Sequence, residues 1–332
     1  MKARLEKWLT DAWYSEMYLS PWLTPFSMFY ADAVRLRRFL YRIRVLRSVR
    51  LPVPVIMVGN LTVGGSGKTP LVIWLAELLR REGYRPGVVS RGYGGGEAGE
   101  RLVAAGDAPA AVGDEAVLLS ERCGCPVAVG RDRPAAARLL LAQTDCNLII
   151  SDDGLQHYAL QRDIEIIVVD GQRYFGNGYC LPAGPLREPQ SRLMQANLQV
   201  VNGGEPLNEH MFIMQCLGQT LVNLQNGEHR PLADFRGQSC HALAAIGNPK
   251  RFFKQLEAAG LDCRVRAYPD HYLYQAEDLR FAGDAPLIMT EKDAVKCRAF
   301  ARPTHWYLPV TAELPPAFAA AVLNLLWKKN HG

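Results

Sequence analysis

The stretch Val53-Pro-Val-Ile-Met-Val-Gly-Asn-Leu-Thr-Val-Gly-Gly-Ser-Gly-Lys-Thr-Pro70, followed by an apolar, helix-forming run to Leu79, decides how this chain is read. Val53 to Val58 is apolar and β-branched, which predicts a strand. It enters a turn rich in glycine (Gly64, Gly65, Gly67) and leaves through Lys68-Thr69 into a helix. That order of strand, glycine turn, Lys-Thr and helix is a phosphate-binding loop. Glycine lets successive backbone N–H groups turn inward around a phosphate chain without Cβ clashes. Lys68 is expected to reach the β- and γ-phosphates and the Thr69 hydroxyl to hold Mg²⁺. The helix N-terminus adds partial positive charge, and Pro70 fits a first turn that needs no N–H. Thr62, Val63, Gly64, Gly65, Ser66, Gly67, Lys68 and Thr69 are the candidate nucleotide contacts. Thr62 stands where the general G-x-x-x-x-G-K-[ST] pattern has its first glycine. The loop implies a nucleoside triphosphate and does not separate a kinase from a GTPase or a motor.

Working outward, the chain is 332 residues, long enough for one large or two modest domains. It is 48% apolar and 21% charged, an ordinary globular balance, and its net charge of +5 is too weak to argue for nucleic acid. The eight cysteines are scattered, and Cys123-x-Cys125 is the only close pair, so reduced thiols are expected rather than a metal or disulfide framework. Acidic residues at Glu6 and Asp11 argue against a signal peptide. No uncharged apolar run reaches the roughly 18 residues of a spanning helix.

Upstream of the loop, residues 1 to 50 hold Trp8, Trp13, Tyr14, Tyr18, Trp22, Phe26, Phe29 and Tyr30. Arg35, Arg37, Arg38, Arg42, Arg44, Arg47 and Arg50 follow. Aromatic side chains beside an arginine-rich helix are the composition of a membrane-interface anchor. A helix packed on the body with a solvated basic face is the alternative, and a nucleic-acid arm is a weaker third without a base-reading motif.

Downstream, Arg85 to Ser90 reads as a second strand, followed by the glycine cluster Arg91-Gly-Tyr-Gly-Gly-Gly. Asp114 opens a helix, either as its N-cap or as a carboxylate aimed at a site. Arg133 begins another helix and is a candidate phosphate contact. Asn147-Leu-Ile-Ile-Ser-Asp-Asp is an apolar strand ending in Asp152 and Asp153, where a parallel sheet would present carboxylates to Mg²⁺ beside the phosphate loop. Arg187 and Glu188 lie on a rigid Pro/Gly-rich loop, where ligand contacts are common. Leu198 to Asn202 is read as the last strand of the first half, with a change of composition near Gly203. Residues 211 to 230 read as a strand pair around Asn226-Gly227. A second alternation of strands and helices runs to the end, which predicts parallel sheet. The expected architecture is α/β: residues 1–50 an interface segment, 51–205 a P-loop core, 206–332 a smaller α/β lobe, with a ligand cleft between lobes. His271 follows a strand of the second lobe and carries no signal by itself. Thr290-Glu-Lys-Asp fails the [NT]-K-x-D guanine pattern because Lys292 and Asp293 are adjacent, which weighs against a GTPase.

These segments together resemble the tetraacyldisaccharide 4′-kinase family of lipid A biosynthesis. The matching pieces are the phosphate loop from Gly59, Ser90-Arg-Gly-Tyr-Gly-Gly, Val112-Gly-Asp-Glu and Gly130-Arg-Asp-Arg. They continue with Asp152-Asp-Gly-Leu-Gln-His, Leu181-Pro-Ala-Gly-Pro-Leu-Arg-Glu-Pro, Pro269-Asp-His and Thr290-Glu-Lys-Asp-Ala-Val-Lys-Cys. The family's pattern accommodates Thr62; Ser66, Ala116 and Tyr272 are local departures that remove no required group. The resemblance implies transfer of the γ-phosphate of ATP, with Mg²⁺, to the 4′-hydroxyl of a tetraacylated glucosamine disaccharide 1-phosphate, giving lipid IVA. It implies Asp114 as the base with His271 as its partner and Lys68 as the third catalytic group. Thr69, Asp152, Asp153 and Glu188 are the implied metal ligands, and Arg133, Glu115, Gln156 and Arg187 the substrate or phosphate contacts. An acceptor with four acyl chains implies a peripheral enzyme on the cytoplasmic face of the bacterial inner membrane, docked through residues 1–50, with no nucleic-acid partner. A soluble-metabolite kinase and a membrane-associated nucleotide switch remain the alternatives.

Overall fold

The computed structural model describes residues 2–14, 21–96 and 99–331, so Tyr18 of the aromatic run lies outside the described residues. The chain opens with helices α1 (Lys2–Trp13) and α2 (Thr24–Arg42), the latter with Pro25 in its first turn, where no N–H is needed. A P-loop core follows: β1 (Val55–Gly59), α3 (Lys68–Arg81), β2 (Pro86–Ser90), β3 (Arg101–Leu102), α4 (Pro109–Val112), α5 (Asp114–Arg122), β4 (Val127–Val129), α6 (Arg133–Gln143), β5 (Leu148–Ser151), β6 (Ile164–Asp170), β7 (Leu198–Asn202) and β8 (Met211–Leu217). The second lobe holds β9 (Thr220–Asn223), β10 (His229–Pro231), β11 (Ser239–Ala244), α7 (Pro249–Ala258), β12 (Asp262–Ala267), α8 (Ala276–Leu279), β13 (Leu287–Thr290), α9 (Glu291–Cys297) and β14 (His305–Leu308). The chain then returns as β15 (Thr311–Glu313) and α10 (Pro316–His331).

The larger sheet runs β15-β8-β7-β6-β1-β5-β2-β4-β3, parallel except at its two edges, where β15 and β3 are antiparallel. Every residue of β1 is buried, as expected of a parallel strand covered on both faces. Ile56 and Val58 pack with Leu71 and Leu75 of α3 and Phe318 and Val322 of α10. Val55 and Met57 point the other way, onto Ala136 and Leu140 of α6. The smaller sheet runs β10-β9-β14-β13-β11-β12, with β11 to β14 parallel and an antiparallel β9–β10 hairpin turning at Asn226-Gly227.

The strand order corrects the expected division at 205/206. β8 continues the large sheet in parallel with β7, so Leu198–Asn202 is not its last strand, and β15 and α10 close the first lobe from the chain's far end. The reason is apolar cover: Phe318, Val322 and Leu326 of α10 complete the face that α3 leaves partly open. Two crossings therefore join the lobes, β8 to β9 and β14 to β15, and they run side by side because β9 pairs with β14 and β8 with β15. α9 also lies along α5, tied by Arg122 to Glu291 at 2.5 Å and by Arg298 to Glu121 at 2.6 Å.

Candidate active site

Sheet order puts β1 beside β5, so the phosphate loop and the Asp152-Asp153 turn leave neighbouring strand ends. Gly67 adopts φ 91°, a left-handed backbone that glycine accepts without strain, and α3 begins at the next residue. Lys68 Nζ reaches Asn60 Oδ1 at 3.1 Å and Asp153 Oδ1 at 3.3 Å. Arg187 grips the same Asp153 at 2.9 and 3.1 Å and also donates to Asn60. Burial would raise the Asp153 carboxyl, but Lys68 and Arg187 hold it far below the usual range. Thr62 and Val63 are pinned by the 185–187 segment: Thr62 bridges Leu186, and the Val63 N–H donates to Pro185.

Asp152 is placed differently. It is 1% exposed, its Oδ1 has no partner among the described residues, and burial together with Glu115 and Asp153 pushes its pKa up to about 7. Arg133, equally buried, gives one bond to the Asp152 carbonyl at 2.7 Å, and its Nε and Nη1 are left without a partner among the described residues. Burial lowers its pKa to about 10. An orphaned buried carboxylate oxygen beside an under-satisfied buried guanidinium suits a site that receives a cation and a phosphate together. Magnesium is commonly held by one or two carboxylates plus substrate phosphate, and Asp152, Asp153 and the half-buried Thr69 fit that donor set. Among the described residues no group of three or more His, Cys, Asp or Glu forms a self-sufficient metal cluster.

Glu188, the fourth expected ligand, is committed elsewhere in this conformation. Its oxygens accept from Tyr158 at 2.5 Å and Gln156 at 2.9 Å, with Arg192 at 3.6 Å. Gln156 also donates to the Asn60 carbonyl. Beside this network a cleft of about 240 Å³ is lined by Tyr30, Arg37, Arg91, Asp153, His157 and Arg187. Burial, then the charges of Arg133 and Arg91, lower the His157 pKa to about 4.

Asp114 is the first residue of α5, not its N-cap: Gly113 takes that position, and the carboxylate is free to face the second lobe. His271 Nδ1 meets it at 3.1 and 3.2 Å across 157 residues. His271 has φ 58°, and its ring lies 4.5 Å from that of Tyr93, in the glycine cluster after β2. Lys292 and Lys296 stand 3.9 and 3.8 Å from Asp114, and Lys292 also binds Glu115 at 3.0 Å and Asp270 at 3.5 Å. Burial opposes ionisation of Asp114, but the His271 hydrogen bond and then Lys292 outweigh it and lower its pKa to about 2. Lys292 pulls Glu115 down against its burial, with help from Lys68.

The structure thus brings together Lys68, Asp153 and Arg187 in one group, Asp152 and Arg133 in a second, and Asp114, Glu115 and His271 in a third. Sequence reasoning assigned no role to Asn60, Tyr93, Arg173 or Lys292. Asn60, Tyr93 and Lys292 lie inside the quoted motifs, which give them no individual role; Arg173 lies outside them.

A family model described as tetraacyldisaccharide-1-P 4′-kinase matches residues 19–327. A protein of Nitrosococcus oceani named tetraacyldisaccharide 4′-kinase is 53% identical over 315 residues, covering 95% of this chain and 93% of that one. One of the same name from Methylobacillus flagellatus is 49% identical, covering 98% of each. Among solved structures, the chain is similar to the "apo" form LpxK from Aquifex aeolicus in complex with ATP, at TM-score 0.77 and 28% identity, covering 91% of this chain and 98% of that one.

Proposed function

This chain belongs to the tetraacyldisaccharide-1-P 4′-kinase family, and from that premise we propose how its residues phosphorylate a lipid A precursor with ATP. The acceptor is a tetraacylated glucosamine disaccharide 1-phosphate, the reacting group its 4′-hydroxyl, and the product lipid IVA. The observation that carries the roles is the Asp114–His271 pair, closed across the lobes beside the Lys292–Glu115 contact.

The loop from Thr62 to Thr69 cradles the phosphates of ATP, and Lys68 counters charge on the γ-phosphoryl group. Thr69, Asp152 and Asp153 would hold Mg²⁺, with Glu188 joining if it releases Tyr158 or Gln156. Bound there, the ion neutralises phosphate charge. The buried Arg133 supplies a second cation near the same carboxylates, while Arg187 restrains Asp153 and Gln156 restrains Glu188. Glu115, held by Lys292, faces the acceptor side.

Asp114, held ionised, accepts the proton of the 4′-hydroxyl as the sugar oxygen bonds to the γ-phosphorus. The bond from phosphorus to the β-bridging oxygen breaks, and ADP leaves with the electron pair. His271 Nδ1–H fixes the carboxylate's orientation. Most of the acceleration is positioning and electrostatics, as in other phosphoryl transfers.

α2 supports the membrane part of the proposal. Ser27 and Ala31 face the body, where Ser27 donates to the Cys180 carbonyl at 2.7 Å. The other side exposes Phe26, Phe29, Leu36 and Phe39, next to a row of arginines, and Trp22 is exposed on the turn just before the helix. That face suits an interface-lying helix, each arginine near anionic lipid adding about 1 kcal/mol. No described helix is long and apolar enough to cross a membrane. ATP and a bilayer-held acceptor meet, on this reading, at the cytoplasmic face of the inner membrane.

The direct test is transfer of label from γ-labelled ATP to the tetraacyl disaccharide 1-phosphate in detergent micelles, with GTP and soluble glucosamine as controls. Labelled lipid is expected only with ATP and Mg²⁺. Nucleotide binding without transfer would overturn the acceptor and favour a nucleotide switch.

A further inference from the structure

A phosphate loop binds through backbone N–H groups, so what holds the opposite side of its peptides matters. In a planar trans peptide the carbonyl and the next N–H point in opposite directions. Three consecutive loop carbonyls are each held by a different side chain. Asn60 Nδ2 donates to the Gly64 carbonyl at 3.3 Å, Arg173 Nη2 to Gly65 at 2.8 Å, and Asn202 Nδ2 to Ser66 at 2.9 Å. With the Gly65 and Ser66 carbonyls anchored outward by Arg173 and Asn202, the N–H groups of Ser66 and Gly67 face the other way, toward the phosphates.

Two of the three anchors are themselves set by the second lobe. Arg173 Nη1 donates to the Gly247 carbonyl at 2.7 Å, and its Nε is fixed by Asp170 at 2.8 Å. Arg251 of α7 donates to Asn202 Oδ1, turning the amide so that its nitrogen faces the loop. The fit is close enough that a Cβ on Gly67 would stand 1.9 Å from Asn202 Nδ2, and one on Gly247 would stand 2.1 Å from the Gly65 nitrogen.

We propose that Arg173, Asn202 and Arg251 are positioning residues that hold the phosphate loop in its binding form from behind, so that the second lobe sets affinity for the nucleotide. The identity of the nucleotide rests on the kinase reading above. The lobe then contributes to both substrates: His271 on the acceptor side and the 247–251 segment behind the loop.

The test is binding of Mg·ATP to the full chain by titration calorimetry, without acceptor, beside steady-state kinetics. Arg173→Met is expected to weaken Mg·ATP binding on the order of 10- to 100-fold, the range for a lost hydrogen bond from a charged group. Arg173→Lys should recover part of it. Arg251→Met, which removes a hydrogen bond to Asn202 rather than to the loop, should weaken binding in the same direction by about tenfold. In both variants KM for ATP rises, while KM for the lipid and kcat at saturating ATP stay near wild type. A double substitution Asn202→Ala/Arg251→Met should lose no more than Asn202→Ala alone, because Arg251 acts through Asn202. Folded Arg173→Met and Arg251→Met with unchanged ATP affinity would overturn the proposal. Should Arg173→Met not fold, Arg251→Met decides alone, since Arg251 is half-buried on α7. A wild-type chain that fails to bind Mg·ATP would instead sink the kinase reading, which keeps the two failures apart.

Discussion

The cleft and helix α2 invert the usual rule of burial in opposite directions. In the cleft, Arg133 and Asp152 are each 1% exposed, and Asp114 is 5% exposed. On the turn that leads into α2, Trp22 is 82% exposed, and on α2 itself Phe29 is 78% exposed. Between them the sheet obeys the rule, with the whole of β1 buried and apolar. Charged groups kept from water interact strongly and need a partner. Apolar groups kept in water need a surface to cover them. Each region is therefore incomplete, and the proposed complements are a cation with a phosphate for one and a lipid interface for the other. The following experiments break or sharpen that contrast.

The largest effect is expected in the cleft. Asp114→Ala should lower kcat by about 10²- to 10⁴-fold with little change in KM for ATP, the range of a missing general base. Steady-state kinetics in micelles check it. Near-normal kcat would remove Asp114 from the chemistry and leave the His271 contact structural.

On α2 the expected loss is in partitioning. Trp22→Ser/Phe26→Ser/Phe29→Ser should weaken binding to anionic vesicles by roughly 10²-fold, about fivefold for each large side chain only partly withdrawn from water. In the same variant, kcat at saturating acceptor in detergent should hold. Equal vesicle sedimentation of variant and wild type would show that this stripe does not meet lipid.

These two regions also differ in how far the sequence disclosed them. The phosphate loop and Asp152-Asp153 are contiguous strings whose chemistry follows from local geometry, and the aromatic-arginine composition of α2 is local too. The Asp114–His271 pair is not. Each residue alone had an ordinary explanation, and only the family resemblance joined them, because the pairing is made by α9 packing along α5. Arg173 and Asn202 were invisible for the same reason: each is a single polar residue whose loop partner lies 108 or 136 positions away. The placement of β8 failed on a different point. Alternating polarity marks a strand but does not say which sheet receives it, and the short β15 that covers its edge comes from the chain's other end.

Acid stability separates the two kinds of cleft carboxylate. Asp114 has a folded pKa of about 2 against an ordinary 3.8, so its contribution is present above about pH 4 and lost as pH falls toward 2. The shift corresponds to about 2 kcal/mol, so wild type should lose that much between those pH values. Asp114→Asn should lack this part of the slope in denaturant melts. An identical slope would mean that the His271 and Lys292 contacts do not persist in solution.

Asp152 predicts the opposite sign and the smallest effect. Its folded pKa of about 7 lies above 3.8, so between those values the folded chain holds a proton that the unfolded chain has released. Without Mg·ATP, stability should therefore rise as pH falls from 7.5 to 5.5, and Asp152→Asn should flatten that rise. At pH 7.5 the variant should melt a few degrees above wild type, since it removes a buried charge with an unpartnered oxygen. Adding Mg·ATP should reverse the order, because the wild-type carboxylate then has its cation and the amide does not. Thermal melts at the two pH values, with and without Mg·ATP, read all of this in one plate. A variant that melts lower than wild type in every condition would mean that Asp152 is a satisfied structural carboxylate, and the inverted polarity of the cleft would then rest on Arg133 and Asp114.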